Sequence, residues 1–229
     1  MMNASSPAAS ARRRGLRLLA SLPLLGVLPG LALASSYVDF FRAVKIDHAP
    51  KVKELLARGF DPNAIEESRG DTGMIVALRE EAMNVFSLLL NTPGVDIEAR
   101  AFNGDTALMT ACFKGNLPAV QALLEKGAEV NRPGWTPLHY AAYSGSTEIV
   151  RLLLDKSAYI DAESPNKTTP LMMAAMGGNI HTVKLLLDEG ADLTLRNEAG
   201  MNAVDFAVKH EHPDIAEGLT WRLRKMGKL

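Results

Sequence analysis

Five histidines and one cysteine are the side chains in this chain best suited to ligate a metal or act as a nucleophile. The histidines, His48, His139, His181, His210 and His212, are scattered through the sequence without a carboxylate at metal-binding spacing. His210-Glu211-His212 comes nearest to a ligand cluster, yet residues two apart do not share a helix face. A lone Cys112 makes neither an intramolecular disulfide nor a cysteine metal cluster. No Ser–His–Asp order, glycine-rich phosphate loop or calcium loop can be assembled. The sequence therefore offers no catalytic residue, no metal ligand and no cofactor site. The reading is of a non-enzymatic protein.

The 229 residues are 47% hydrophobic, 22% charged and only 6% aromatic, a globular composition in which Leu and Ala favour helix over sheet. The net charge of −1 hides an asymmetry. Residues 1–34 carry Arg12, Arg13, Arg14 and Arg17 and no acid, leaving a body with 21 basic and 26 acidic residues. An acidic body argues against nucleic acid, whose phosphates need a basic face. The arginines are followed by an apolar run from Leu18 to Ala34 that ends Ala32-Leu33-Ala34, the pattern of a cleavable export signal. Cleavage is expected after Ala34, with the mature chain starting at Ser35; an uncleaved anchor is the alternative. Arg12-Arg13-Arg14 loosely resembles a twin-arginine signal, but the general secretory route is the expectation. The protein is thus expected in a bacterial periplasm, or secreted. In an oxidising compartment Cys112 needs shielding, and its slot beside Ala111 is that of a small core residue.

The elements that carry these side chains recur along the chain. Thr72, Thr106, Thr136 and Thr169, with Asn202 in the same slot, are spaced by 34, 30, 33 and 33 residues. After each comes an apolar helix, a break, and a second helix ending in Leu pairs or triplets such as Leu88-Leu89-Leu90, Leu152-Leu153-Leu154 and Leu185-Leu186-Leu187. Thr at the N-cap accepts from an orphan backbone N–H, and Pro137 or Pro170 at the first helical position loses nothing by lacking its own. Gly115, Gly145 and Gly178 end the first helices; Gly127 and Gly190 end second helices, where Ser157 stands in once. Glu81 and Glu211 occupy the turn-glycine slot in two units.

Gly134-Trp135-Thr136-Pro137-Leu138-His139-Tyr140-Ala141-Ala142 is the fullest copy, and with a period near 33 it resembles the ankyrin-repeat family. The resemblance covers roughly residues 36–220. It implies an all-α solenoid of stacked helix–turn–helix units with projecting hairpin fingers. The expected units are 36–68 (N-terminal cap), 69–101, 102–131, 132–163, 164–197 and 198–229 (C-terminal cap with a basic tail). The second unit, with Thr72-Gly73-Met74-Ile75 in place of Thr-Pro-Leu-His, deviates as a cap would. The family also implies that the His139 imidazole hydrogen-bonds back into its turn. Fingers from Ile97 to Gly104, Ile160 to Lys167 and Leu193 to Gly200 span seven residues each; from Val130 to Gly134 the span is four, a notch in the row. The basic tail from Trp221 reads as a cap whose charges suit a helix C-terminus.

Equivalent slots of consecutive units lie side by side, so Phe113, Tyr143 and Met176, each following the Ala pair, are expected to form an apolar row across the first helices. Thr110, Tyr140 and Met173 fall in a slot usually half-buried between units. Aromatic and Met side chains on an exposed face have the composition of an interface centre. Lys114, Trp135, Asn166 and Lys167 are the expected rim. The function read from this is a monomeric protein–protein interaction module that binds or stabilises a periplasmic partner, with no nucleic acid and no small-molecule substrate. A secreted effector that meets a host protein is the first alternative, an enzyme of unknown type the second.

Overall fold

The computed structural model describes residues 29–228, and residues 1–28, with the arginines of the expected leader, lie outside it. Among the described residues are twelve helices in six antiparallel pairs. They are α1 (Pro29–Lys45) with α2 (Ala49–Ala57), α3 (Gly73–Arg79) with α4 (Met83–Leu90), α5 (Ala107–Phe113) with α6 (Leu117–Glu125), α7 (Pro137–Ser144) with α8 (Thr147–Asp155), α9 (Pro170–Met176) with α10 (Ile180–Asp188), and α11 (Ala203–Lys209) with α12 (Pro213–Lys225). The expected leader boundary at Ala34 falls within α1. No helix among the described residues is long and apolar enough to cross a membrane.

The repeated threonines do what their position dictates. Thr72, Thr106 and Thr169 accept from the backbone N–H of Ile75, Met109 and Met172, and Asn202 accepts from Val204 and Asp205. In the fourth unit the imidazole joins the cap: His139 Nδ1 accepts from the Thr136 N–H at 3.1 Å, as the family resemblance implied. Turn geometry survives loss of glycine. Asp47, Glu81, Ser157 and Glu211 all hold left-handed φ between the helices or after them. Asp47 also reaches into the next unit, where its carboxylate accepts from the Val85 N–H at 2.8 Å and the Asn84 amide at 2.7 Å, capping α4, whose own N-cap Ala82 has no side chain to do so.

The second unit is not a cap. Gly73 to Leu78 are buried, sandwiched between the first and third units. Glycine replaces proline at its start because Phe40 of the first unit occupies the space: a Cβ on Gly73 would lie 2.8 Å from that ring. Phe40 stacks on Phe60 at 4.5 Å and meets Phe41 edge-on, so the first unit compensates for its missing Thr-Pro motif with an aromatic core.

In the middle of the array, first helices of neighbouring units pack much more closely than second helices do. Small buried residues, Ala111 and Cys112, Ala141 and Ala142, Ala174 and Ala175, permit this approach. The array therefore curves with the first helices on its inner side. Burial also pushes the Cys112 thiol up, away from thiolate chemistry, in keeping with a core residue. Loops after the second helices are stitched by one repeated contact. The side chains of Asn63, Glu98, Asn131 and Asp161 accept from the backbone N–H of Asp96, Glu129, Tyr159 and Asp192 in the following unit. The shortened finger is held this way too, and Arg132 adds ion pairs of 2.8 Å to Glu98 and to Glu129.

Candidate protein-binding surface

Close backbone contact between first helices brings the expected row together. A Cβ on Gly177 would sit 2.4 Å from the Tyr143 carbonyl oxygen, so only glycine lets the end of α9 come this near α7. Asn179 Nδ2 donates to that same carbonyl at 2.7 Å, and His212 hydrogen-bonds to the Met176 carbonyl at 3.2 Å. Each contact satisfies an orphan carbonyl at a helix end with a side chain from the next unit. Phe113, Tyr143 and Met176 are thus fixed at equivalent places on three consecutive helices.

Phe113 is 47% exposed and stacks nearly parallel on the half-buried Tyr143, with ring centroids 6.0 Å apart. Met176 is half-buried against the core. Tyr140 does more than the sequence suggested. It meets Phe113 edge-on at 6.4 Å and Trp135 at 6.4 Å, joining four aromatic rings into one continuous patch. Its hydroxyl donates to Asp105. Burial and the Asp105 carboxylate together push the phenol well up, so it stays a donor at every physiological pH.

Through Asp105 the patch runs into a buried polar network that sequence reasoning missed. Arg79 Nε lies 2.8 Å from Asp71 Oδ2, and its Nη2 is 3.5 Å from Asp105 Oδ2, while Asn103 donates to Asp105 at 2.7 Å. Asp71 is fully buried and Arg79 only partly so. Removing Arg79 would strand the buried Asp71 carboxylate at a cost of about 3–5 kcal/mol. One signal was present: Arg79 stands seven residues after Thr72, the slot that Phe113, Tyr143 and Met176 occupy in their own units.

The expected rim is partly engaged. Lys114 Nζ pairs with Glu81 at 2.9 Å. Trp135 is half-buried, edge-on to His139 at 5.2 Å. Asn166 uses its side-chain oxygen within its own finger, accepting from Ser164 Oγ at 2.6 Å, and its carbonyl accepts from the Glu198 N–H at 3.0 Å. Lys167 is exposed and holds a left-handed φ of 61°, where the equivalent residues of other fingers are Gly104, Gly134 and Gly200.

His139 is scaffold. Its Nδ1 accepts from Thr136 and its Nε2 lies 2.8 Å from the Thr168 carbonyl, so the ring is the neutral tautomer with its proton on Nε2. Both nitrogens are committed, and burial lowers the pKa to about 4. Such a ring neither shuttles protons nor binds a metal.

The comparisons with known proteins agree with this architecture. Residues 40–133, 93–164 and 156–223 match the family described as ankyrin repeats in three copies. The chain is 30% identical over 177 residues to human SH3 and multiple ankyrin repeat domains protein 2, covering 75% of this chain and 10% of that one. It is 35% identical over 115 residues to human transient receptor potential cation channel subfamily A member 1, covering 49% and 10%. With the Notch-regulated ankyrin repeat-containing protein of Xenopus tropicalis it shares 40% identity over 78 residues, 32% of this chain and 68% of that one. The chain spans about a tenth of the length of the first two relatives. Ankyrin repeats are protein-interaction modules, and this chain belongs to the ankyrin-repeat family.

Proposed function

We propose that the protein is an exported, non-enzymatic interaction module that holds a periplasmic partner protein against the inner face of its array. The observation that carries this reading is the patch of Phe113, Tyr143, Tyr140 and Trp135, held on α5, on α7 and on the turn leading into α7, with Phe113 half-exposed at its centre. Rigid aromatic side chains that lose little entropy on contact are the usual anchors of protein interfaces. In this reading Met176 extends the patch by one unit, and Lys114, Asn166 and Lys167 serve as its rim. The export part of the reading rests on the arginine-rich, apolar, alanine-ended start of the sequence.

The test is crosslinking in the native compartment with the wild-type chain, Phe113→Glu and Tyr143→Glu, each checked for native circular dichroism. The partner captured by the wild type is expected to be lost from both variants. Folded variants that retain every partner would sink the groove reading. Fractionation of cells and medium locates the protein: recovery from the cytoplasm overturns the export reading, and recovery chiefly from the medium redirects it to a secreted effector.

A further inference from the structure

A second surface lies on the opposite side of the last two units, away from the aromatic patch. Second helices touch one another far less than first helices do, which leaves room for a furrow between them. Between α10 and α12 the furrow is a groove of about 180 Å³. Its walls and floor are Ile180, Val183, Leu187, Leu219 and Trp221, with Gly218 set into one wall. Ile180 is 46% and Trp221 60% exposed, an unusual pair on the end of a repeat array, where a polar outer surface keeps the cap soluble.

Gly218 is the informative residue. It lies inside a helix of 13 residues, where glycine costs about 1 kcal/mol relative to alanine. It serves no turn, and a Cβ placed on it would meet no atom within 4 Å. Packing against this chain therefore does not require glycine there; its effect is to keep the groove open.

The charges around the groove define what would fill it. Lys184 and Arg222 line it, against the single carboxylate Asp214. Arg222 already pairs with Asp188 at 3.7 Å, and the Lys228 charge acts on Asp192, but Arg224 and Lys225 on the last turn of α12 have no carboxylate at ion-pair distance among the described residues. Lys225 instead lies over the Trp221 ring at 5.1 Å. On a body with net charge −5 this is a concentrated positive end. A groove between two helices, apolar at its floor and cationic at its edge, is complementary to an amphipathic helix with an acidic polar face.

We propose that the α10–α12 groove is a second docking site, and that it receives an acidic amphipathic helix from a protein partner. Apolar side chains spaced three and four apart enter beside Gly218, and the helix's carboxylates meet Lys184, Arg222, Arg224 and Lys225. The site is independent of the inner aromatic patch.

The purified chain is panned against a phage-displayed library of short random peptides at low salt, and the strongest clone is made as a fluorescein-labelled peptide for anisotropy. Three variants are compared with wild type: Gly218→Leu, which fills the groove without disturbing the fold, the charge reversal Arg224→Glu with Lys225→Glu, and Tyr143→Glu. Selected peptides are expected to be rich in Asp and Glu with apolar residues at helical spacing. Affinity should fall at least about tenfold in Gly218→Leu and in the charge reversal, a loss of ~1.4 kcal/mol, and stay unchanged in Tyr143→Glu. The proposal is overturned if no peptide is enriched, if the peptides lack acidic residues, or if they bind Gly218→Leu as tightly as wild type. Loss of binding only in Tyr143→Glu places the peptides on the inner patch and also overturns it. So does binding to phosphatidylglycerol vesicles that competes with the peptide and is lost in the same two groove variants, because the groove's ligand is then a lipid surface.

Discussion

Acidification should loosen this array at one identifiable residue. His139 is fully buried, with Thr136 donating to one ring nitrogen and the other donating to the Thr168 carbonyl of the next unit. Adding a proton would turn Nδ1 from acceptor to donor, facing an N–H, in a buried site where no carboxylate acts to offset the charge. Burial accordingly holds the folded pKa down at about 4, from 6.5. The unfolded chain binds this proton more readily than the folded chain does. The contribution is therefore fully present above 6.5, is lost as the pH falls from 6.5 towards 4, and is constant below that. Linkage gives a loss of about 2 kcal/mol between pH 7.5 and pH 5, rising to ~3 kcal/mol below pH 4. Against a total stability of about 5–15 kcal/mol this is a large share.

The control is present in the chain itself. Met172 fills the slot of His139 in the next unit, and its sulfur lies 3.5 Å from the capping N–H of Thr169. His139→Met should keep the cap and lose the Thr168 contact, costing about 1–3 kcal/mol at pH 7.5. Urea unfolding of both proteins at the two pH values separates this residue from every other titrating group, because the remainder are common to both. Trp135, edge-on to the imidazole, reports on the same unit by fluorescence. The gap between wild type and His139→Met should shrink by about 2 kcal/mol on going to pH 5. An equal gap at both pH values would refute the argument.

Three further predictions concern the loops. Lys167→Gly relieves a left-handed lysine and should raise stability by about 0.5–1 kcal/mol, read as an increase in the urea midpoint. Asn131→Ala removes two contacts that secure the short finger to the next unit, 2.7 Å to the Ser157 carbonyl and 2.9 Å from the Tyr159 N–H. It should cost about 1–2 kcal/mol and accelerate hydrogen exchange at the Tyr159 amide. Asp47→Ala uncaps α4 and should cost about 1 kcal/mol, with faster exchange at Asn84 and Val85 and little change at Asn116, in the third unit.

Much of the molecule was legible because the repeat motif is local. A capping Thr, a Pro at the first helical position and a break after the Ala pair specify a helix from nearest neighbours alone, and a fixed period then specifies stacking. That was enough to place Phe113, Tyr143 and Met176 in one row. It was also enough to read His139 as scaffold once the resemblance was seen.

What only the tertiary structure decided are relations between units, which no single motif encodes. Gly73 looked like the sign of a degraded cap, but it marks where Phe40 presses against an interior helix. Tyr140 looked like inter-repeat packing, but its hydroxyl ties the aromatic patch to Asp105 and the Arg79–Asp71 pair. Gly218 drew no notice in the sequence, yet in three dimensions it lines the groove between α10 and α12. Each of these depends on which side chain from a neighbouring unit occupies a given volume. The sequence period fixes that units are adjacent; the side chains that meet between them decide how closely they pack, and which surfaces stay open to a partner.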